Sequence, residues 1–579
     1  MYLYVHTINY DMKSTTFKLC AAASVLCVLL CSCAGTPVAD EDGSNLWFHS
    51  LSDADSCLLS KEKSTLEIAD SEIFNYWKGK QTVTGIVCEE QEPSIGKDGY
   101  RIEFGKQTIE IYANSEIGVL YGVYDLLRRQ ETGSLLSEGS VTEVPAYDIR
   151  ILNHWDNPNL TVERGFAGRS LWKWGELPSV VRPEYEMYAR ANASVGINAT
   201  VLNNVNADAR MLTGEYLQKV KALADIFRPY GIKVYLSLNF AAPKHIGGLT
   251  TSDPLDADVV KFWNDKVAEI YSIIPDFGGF LVKANSEGQS GPQDYGRTHA
   301  DGANMIADAL KPFGGIVMWR AFVYEATAED RAMQAADEFM PLDGQFRDNV
   351  IIQIKNGPVD FQPREPFSPL FGLMKHTDMM VEVQITQEYL GQSMHLVYLA
   401  PMWEEFFGDV RRYARLGSKA IAGVANTGQE DTWCGHVFSQ ANWYAFGRLA
   451  WDPSLTSAQI AEEWIRGTFL KPWWCPESRF EKKFVEPVKD MMLSSRETCV
   501  NYTMPLGFHH IFNGSHYGPG PWQLSSRPDW SPLYYHKADS AGVGFDRTVS
   551  TGSGNIGQYT EPLASILEDV NTCPENLLL

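Results

Sequence analysis

The strongest pattern along the chain is a recurring apolar, β-prone run of six or seven residues that ends in polar or charged side chains. Eight such runs occur, at Ile149–His154, Ile197–Leu202, Lys233–Asn239, Gly278–Lys283, Gly315–Arg320, Asn349–Lys355, Met380–Ile385 and Ala420–Ala425. Segments of helical periodicity lie between them, among them Tyr216–Phe227, Val259–Ile273, Gly302–Leu310 and Met402–Leu416. Eight βα units in about 300 residues predict an α/β fold of the (β/α)8 TIM-barrel type, assigned to residues 147–455. A doubly wound open sheet is the alternative. That fold usually places a Gly-rich phosphate loop after its first strand. Here the first run leads into Asn153-His154-Trp155-Asp156-Asn157 instead.

The flanks read differently. Residues 46–146 carry short alternating segments at Gln81–Val87 and Tyr100–Tyr112 and a helix-like Gly118–Arg129, which predict an N-terminal α+β accessory domain. Residues 456–579 read as a mostly helical region, with helices at Ser457–Thr468 and Glu477–Ser495 and a Gly- and Pro-rich loop over Gly507–Trp522. The apolar ending Asn576–Leu579 carries neither cap nor polar tail, so this region is expected to be incomplete. The first 33 residues form a leader. Lys13 and Lys18 precede the apolar stretch Leu19–Leu30, and Leu30-Cys31-Ser32-Cys33 has the form of a bacterial lipobox, with Met12 as an alternative start. The stretch is too short to span a bilayer comfortably. The expectation is export, acylation of Cys33, residues 34–45 as a tether, and residence in the cell envelope as a periplasmic or outer-membrane lipoprotein. The alternative is an ordinary cleaved secretory signal.

Composition narrows the function classes. With 579 residues and 44% hydrophobic content, the chain can bury a sizeable core. Aromatic content of 12%, including 16 Trp, suits sugar-stacking faces, but a large core is the better account of it. The net charge of -23 disfavours a nucleic-acid partner. It leaves room for a small anionic substrate, because salt screens the surface field over about 10 Å. Six scattered cysteines, Cys57, Cys88, Cys434, Cys475, Cys499 and Cys573, form no CxxC pair, and no zinc or redox framework follows. The expectation is buried thiols, with room for a disulfide or two in an exported chain.

Barrel enzymes carry their chemistry where strands end. Three carboxylates follow predicted strands: Glu287, Asp360 and Glu388. Cleaving a glycosidic bond takes an acid for the leaving oxygen and, with inversion, a base for water on the opposite face. Glu287 stands alone among Asn285 and Ser286, which suits an acid of raised pKa. Asp360 and Glu388 follow adjacent strands and suit a shared water. Taken singly, each is equally a surface-loop residue or a helix cap. Three cations, Lys283, Arg320 and Lys355, end apolar runs, where a charge is costly unless paired. Their runs are consecutive, so their heads should lie together, and a sugar carboxylate would join them, with Arg as a planar fork. The alternative is pairing with Asp360 and Glu388 alone. Trp155 is a sugar-stacking candidate, though a lone Trp is more often core. No HExxH pattern occurs among the twelve His.

Longer motifs add a family resemblance. LNHWDN (152–157), ERGFAGRSLW (163–172), GINATVLNNVNA (196–207), GGLTTSDPLD (247–256), PDFGGFLVKANSEGQSGP (275–292), YGRTHADGANM (295–305), IVMWRAFVY (316–324), LDGQFRDNVIIQIKNGPVDFQPREP (342–366), QITQEY (384–389) and HYGPGPW (516–522) resemble glycoside hydrolase family 67, the α-glucuronidases. The resemblance implies an inverting enzyme without cofactor or metal. By motif, Glu287 looks like the general acid, and Asp360 and Glu388 like the pair that activates water. Lys283, Arg320 and Lys355 look like the grip on a uronic carboxylate, Trp155 like a pocket wall and Val205 like a steric limit. The implied partners are glucuronoxylan-derived oligosaccharides, with α-1,2-linked 4-O-methyl-glucuronic acid removed from a terminal xylose. Membrane contact would run through the lipid anchor alone, and a homodimer is implied where the C-terminal region is complete. The lipobox departs from the family pattern, as does the short C-terminal region. Two other classes stay open: a uronate-binding surface lipoprotein without turnover, and a metal-dependent uronate lyase or isomerase.

Overall fold

The computed structural model describes residues 43–48, 63–322, 330–417, 419–469, 471, 475–504, 514–518, 520, 546–574 and 577. Cys33 and the rest of the leader lie outside the described residues, as do most of the tether, most of the Gly507–Trp522 loop and the Asn576–Leu579 ending apart from Leu577.

Four strands form the sheet that precedes the barrel: β1 (Thr82–Val87), β2 (Tyr100–Phe104), β3 (Thr108–Ala113) and β4 (Gly139–Glu143), in the order β1-β3-β2-β4. The sequence suggests one segment over Tyr100–Tyr112. The structure makes it two antiparallel strands around Gly105-Lys106-Gln107, where Gly105 N donates to Thr108 O at 2.9 Å. Alternation then puts Tyr100, Ile102, Phe104, Ile109, Ile111 and Ala113 on one buried face. The helix Glu116–Thr132 covers that face. Ser115 Oγ caps it by accepting from Gly118 N, and Gly133 ends it in the left-handed conformation. A second helix, Thr65–Tyr76, opens with a Ser64/Glu67 capping box. Its Glu72 receives Arg190 of the helix Pro183–Ser194 at 2.5 and 2.7 Å, which ties the sheet unit to the barrel.

The barrel consists of β5 (Ile149–Asn153), β6 (Ala199–Val201), β7 (Lys233–Leu238), β8 (Gly279–Val282), β9 (Ile316–Arg320), β10 (Val350–Lys355), β11 (Asp378–Gln384) and β12 (Ala420–Val424). All pairings are parallel, and β12 pairs with β5 to close the ring. Each of the eight apolar runs therefore coincides with one strand to within two residues. Parallel strands buried on both faces read as continuous apolar runs rather than as alternation. Ile151, Val201, Leu281, Met318, Ile351 and Met380 fill the interior. Gly279 is required where β8 starts. Its φ is 134°, and a Cβ there would lie 2.0 Å from Ile316 O.

Outside the ring, the helices Gly214–Phe227, Ala257–Ile273, His299–Leu310 and Ala400–Tyr413 occupy the predicted positions within a few residues. Beyond the barrel, Ser457–Thr468 is helical as read. The last long helix differs: Glu477–Phe480 passes through a π-helical turn at Glu481–Val485 and continues as Glu486–Thr503. Pro487 lacks an N–H to return to the preceding turn, and the π turn sits directly before it. Five of the six scattered cysteines are described. All five are free thiols, with Cys475 and Cys499 buried.

Candidate active site

The eight singled-out residues all lie at the strand C-terminal end of the barrel. Trp155 follows β5 and Val205 follows β6. Lys283 directly follows β8, with Glu287 four residues on. Arg320 is the last residue of β9 and Lys355 the last of β10, with Asp360 five further on. Glu388 comes four residues after β11.

The three cations converge on one ring. Lys355 Nζ is 3.8 Å, Arg320 Cζ 4.9 Å and Lys283 Nζ 5.1 Å from the centroid of Phe322. Each distance lies within cation–π range, which is about 6 Å. Like charges gathered in this way need compensation, and the chain supplies it. Lys283 Nζ donates to Glu287 Oε2 at 2.5 Å and to Asn206 Oδ1 at 2.8 Å. Lys355 Nζ donates to Asp360 Oδ1. Arg320 lies side-on against Glu382 of β11, Nε to Oε2 at 2.9 Å and Nη2 to Oε1 at 2.6 Å.

This arrangement corrects the expectation that an external anion must join the cations. Each already faces a carboxylate of the chain. Of the two partners expected on the alternative reading, Asp360 takes that part and Glu388 does not. The side-on edge of the Arg320 guanidinium is occupied, so its end-on edge is the one a ligand can meet.

Glu388 is held separately. Its Oε1 receives Arg164 Nε at 2.7 Å and faces His516 Nδ1 at 3.3 Å, and its Oε2 receives Gln384 Nε2 at 2.9 Å. The neighbouring Tyr389 links it to Asp360. The Tyr389 hydroxyl donates to Asp360 Oδ2, and its ring stacks on His516 at 4.9 Å. Asp360 and Glu388 are thus linked through Tyr389. Trp155 and Val205 join Phe361 in a single apolar cluster. The buried Trp155 Nε1 has no hydrogen-bond partner among the described residues. A buried donor left unmet costs about 1–3 kcal/mol, and a ligand hydroxyl would satisfy it.

Burial drives the Lys283 and Lys355 ammonium groups below their ordinary range, with Glu287 and Asp360 pulling back and Arg320 adding like-charge repulsion. For Glu287, burial pushes upward, but the charge and hydrogen bond of Lys283 outweigh it and hold the carboxyl below its usual range. The raised value suggested by the local sequence is therefore not that of the ligand-free site. The missing information was the ion pair four residues back.

Strain gathers at this rim. Arg164, Asn285, Glu287, Phe361, Arg364 and Asn426 all have φ between 41° and 67°. Such conformations cost about 1–3 kcal/mol each and persist where the surroundings enforce them. Sequence reasoning passed over Glu382, Phe322, Arg164 and Tyr389, and read His516 of the Gly507–Trp522 loop as either a site-lining or a plain loop residue. Glu382 left a signal, a lone carboxylate inside the apolar strand DMMVEVQ, where burial demands a cationic partner. Arg164 sits in an irregular loop far from Glu388 along the chain and left none.

A ring of carboxylates and cations over the mouth of an eight-stranded parallel barrel is the layout of the (β/α)8 glycoside hydrolase class. Within that class the chain belongs to glycosyl hydrolase family 67: residues 129–433 match the family's middle domain and residues 434–579 its C-terminus. It is 43% identical over 517 residues to alpha-glucuronidase A of Emericella nidulans, covering 84% of this chain and 60% of that protein. It is 41% identical over 522 residues to the alpha-glucuronidase of Hypocrea jecorina, covering 85% of this chain and 60% of that protein. The chain thus spans about 60% of the length of these curated relatives.

Proposed function

We propose that this protein is an α-glucuronidase that removes α-1,2-linked (4-O-methyl)glucuronic acid from the terminal xylose of xylooligosaccharides, with inversion. The observation that carries this reading is the gathering of Lys283, Arg320 and Lys355 around Phe322, beside Glu287 and Asp360. The names of the relatives and the family membership support it.

In this reading the uronate carboxylate enters among the two ammonium groups and the end-on edge of Arg320. Trp155 and Val205 wall the sugar, and Trp155 Nε1 offers a donor to a hydroxyl. Glu287 gives its proton to the bridging oxygen as the bond to the anomeric carbon breaks. Asp360 and Glu388 orient water on the opposite face, and one of them takes its proton as the oxygen bonds to the anomeric carbon. Tyr389 and Lys355 orient Asp360, while Arg164, Gln384 and His516 orient Glu388.

The test is release of free glucuronate from an aldouronic acid by the unaltered chain and by Glu287→Ala. The expected loss in kcat is about 10²–10⁴-fold with substrate binding retained. Unchanged turnover in the variant overturns the acid assignment. We propose also that the protein is exported and lipidated at Cys33, on the strength of Lys13, Lys18, the apolar stretch Leu19–Leu30 and the lipobox. Incorporation of labelled palmitate that is lost in Cys33→Ser supports this. Equal labelling of the two forms overturns it.

A further inference from the structure

Glu287 is tied to Lys283, one of the three cations that hold the uronate in the proposed function, and the inference rests on that reading. In the ligand-free site, Lys283 Nζ sits 2.5 Å from Glu287 Oε2, with Asn206 Oδ1 on its other side at 2.8 Å. Asn206 is anchored in turn, because its Nδ2 donates to Glu163 Oε2 at 2.9 Å. Lys283 is therefore fixed in place, and its side chain is almost fully buried, whereas the Glu287 side chain is 37% exposed. Glu287 also occupies a left-handed backbone position, φ 49°, on a loop that turns back on itself through a Ser286–Gln289 bridge. The backbone of Glu287 is thus held, and of the two side chains the buried lysine is the fixed one and the more exposed glutamate the one with room to move.

We propose that the substrate's own carboxylate takes the place of Glu287 on Lys283, and that this exchange loads Glu287 with the proton it later gives to the glycosidic oxygen. Before binding, Lys283 faces the Glu287 carboxylate. Afterwards it faces the uronate, and the displaced Glu287 carboxylate takes one proton from solvent. Neither carboxylate forms or breaks a covalent bond to carbon, and the net change is one proton taken up per uronate bound.

The surrounding charges favour that outcome. Among the described residues, the charged groups facing Glu287 are Lys283, Lys355, Arg320 and Asp360. Lys355 and Arg320 are engaged with Asp360 and Glu382. With Lys283 turned to the ligand, burial, the Asp360 charge and the new charge of the uronate favour the neutral acid, against the opposing charge of Lys355. Burial also drives Lys283 downward, so the site gains from any anion that keeps it charged. A neutral hexose cannot displace Glu287. The site would then select for uronates in the chemical step as well as in binding, because only an acidic sugar arms the acid.

The test is titration calorimetry of glucuronate into the full chain at neutral pH, in buffers of different ionisation enthalpy. The slope of binding enthalpy against buffer enthalpy counts protons. The expected result is uptake of about one proton per glucuronate. Glu287→Gln, which has no ion pair to break, should bind glucuronate more tightly and take up almost no proton. Lys283→Met should also lose the uptake, because its Glu287 is already free of the cation. Glucuronate binding by the unaltered chain without uptake, or the same uptake in Glu287→Gln, overturns the exchange while leaving the α-glucuronidase reading in place. Failure of every form to bind glucuronate overturns that underlying reading instead.

Discussion

Arg320 and Glu382 face each other side-on through two hydrogen bonds of 2.9 and 2.6 Å, and the two side chains are 2% and 1% exposed. Gln353 Nε2 adds a third contact to the same carboxylate. The pair fixes the plane of the guanidinium and holds its Cζ 4.9 Å from the centre of the Phe322 ring. Removing one partner of a buried pair leaves the other charge uncompensated. Glu382→Ala is therefore expected to lower stability by about 3–5 kcal/mol, read from urea unfolding. A loss below about 1 kcal/mol would mean that Arg320 is not held by this carboxylate.

Asp156, the buried residue after Trp155 beyond β5, gives a pH signature. Burial pushes its carboxyl up to about 7 from an ordinary 3.8, against the hydrogen bonds of Ser170 and Trp174. Between those two values the folded chain keeps a proton that the unfolded chain has lost. The stabilisation is thus complete below the unfolded value and fades as pH rises through the folded one. The slope reaches about 1.4 kcal/mol per pH unit. Asp156→Asn should remove it, so that the stability difference between pH 5 and pH 7 changes by about 2–3 kcal/mol relative to the unaltered chain. Identical pH profiles for the two proteins contradict the burial argument.

Arg547 ties the C-terminal region to the loops that carry the chemistry. Its Nη1 lies 2.9 Å from both oxygens of Glu365, five residues beyond Asp360, and its Nε lies 3.6 Å from Asp330 Oδ2. Ser553 Oγ adds a bond to Asp330 at 2.9 Å, and Tyr559 OH adds one to Phe367 O at 2.9 Å. The Asp360 loop includes the strained Phe361 and Arg364, so it depends on such support. Arg547→Met is expected to reduce kcat about 10–100-fold with little change in KM, and Arg547→Lys to restore part of it. Unchanged kcat in Arg547→Met contradicts a positioning role.

Much of the barrel was legible because its strands are buried on both faces, and three consecutive ones, β8 to β10, end at or just before a cation. Lys283, Arg320 and Lys355 stand out for that reason. The helix Gln440–Trp451 was not legible: all of its residues are buried, so no polar face marks a 3.6-residue period. The turn at Gly105-Lys106-Gln107 was hidden inside a run that keeps its apolar alternation on both sides. At the site, the sequence displays which charges exist but not which ones meet. Glu287 reads as a solitary acid until the i, i+4 spacing to Lys283 closes in three dimensions, and Glu388, read as sharing a water with Asp360, meets a cation the sequence did not offer it, Arg164 from the loop after β5. His516 reaches Glu388 from 128 residues further along the chain, a separation no local pattern encodes.

The placement of an acid on one face of the sugar and two water-orienting carboxylates on the other is tested most directly by NMR of the first glucuronate released from an α-1,2-linked aldouronic acid. Glu287 as acid with Asp360 and Glu388 beside the water predicts that the β-anomer forms first and then mutarotates. Initial appearance of the α-anomer would mean that a carboxylate attacks the sugar itself, and would contradict the assigned roles.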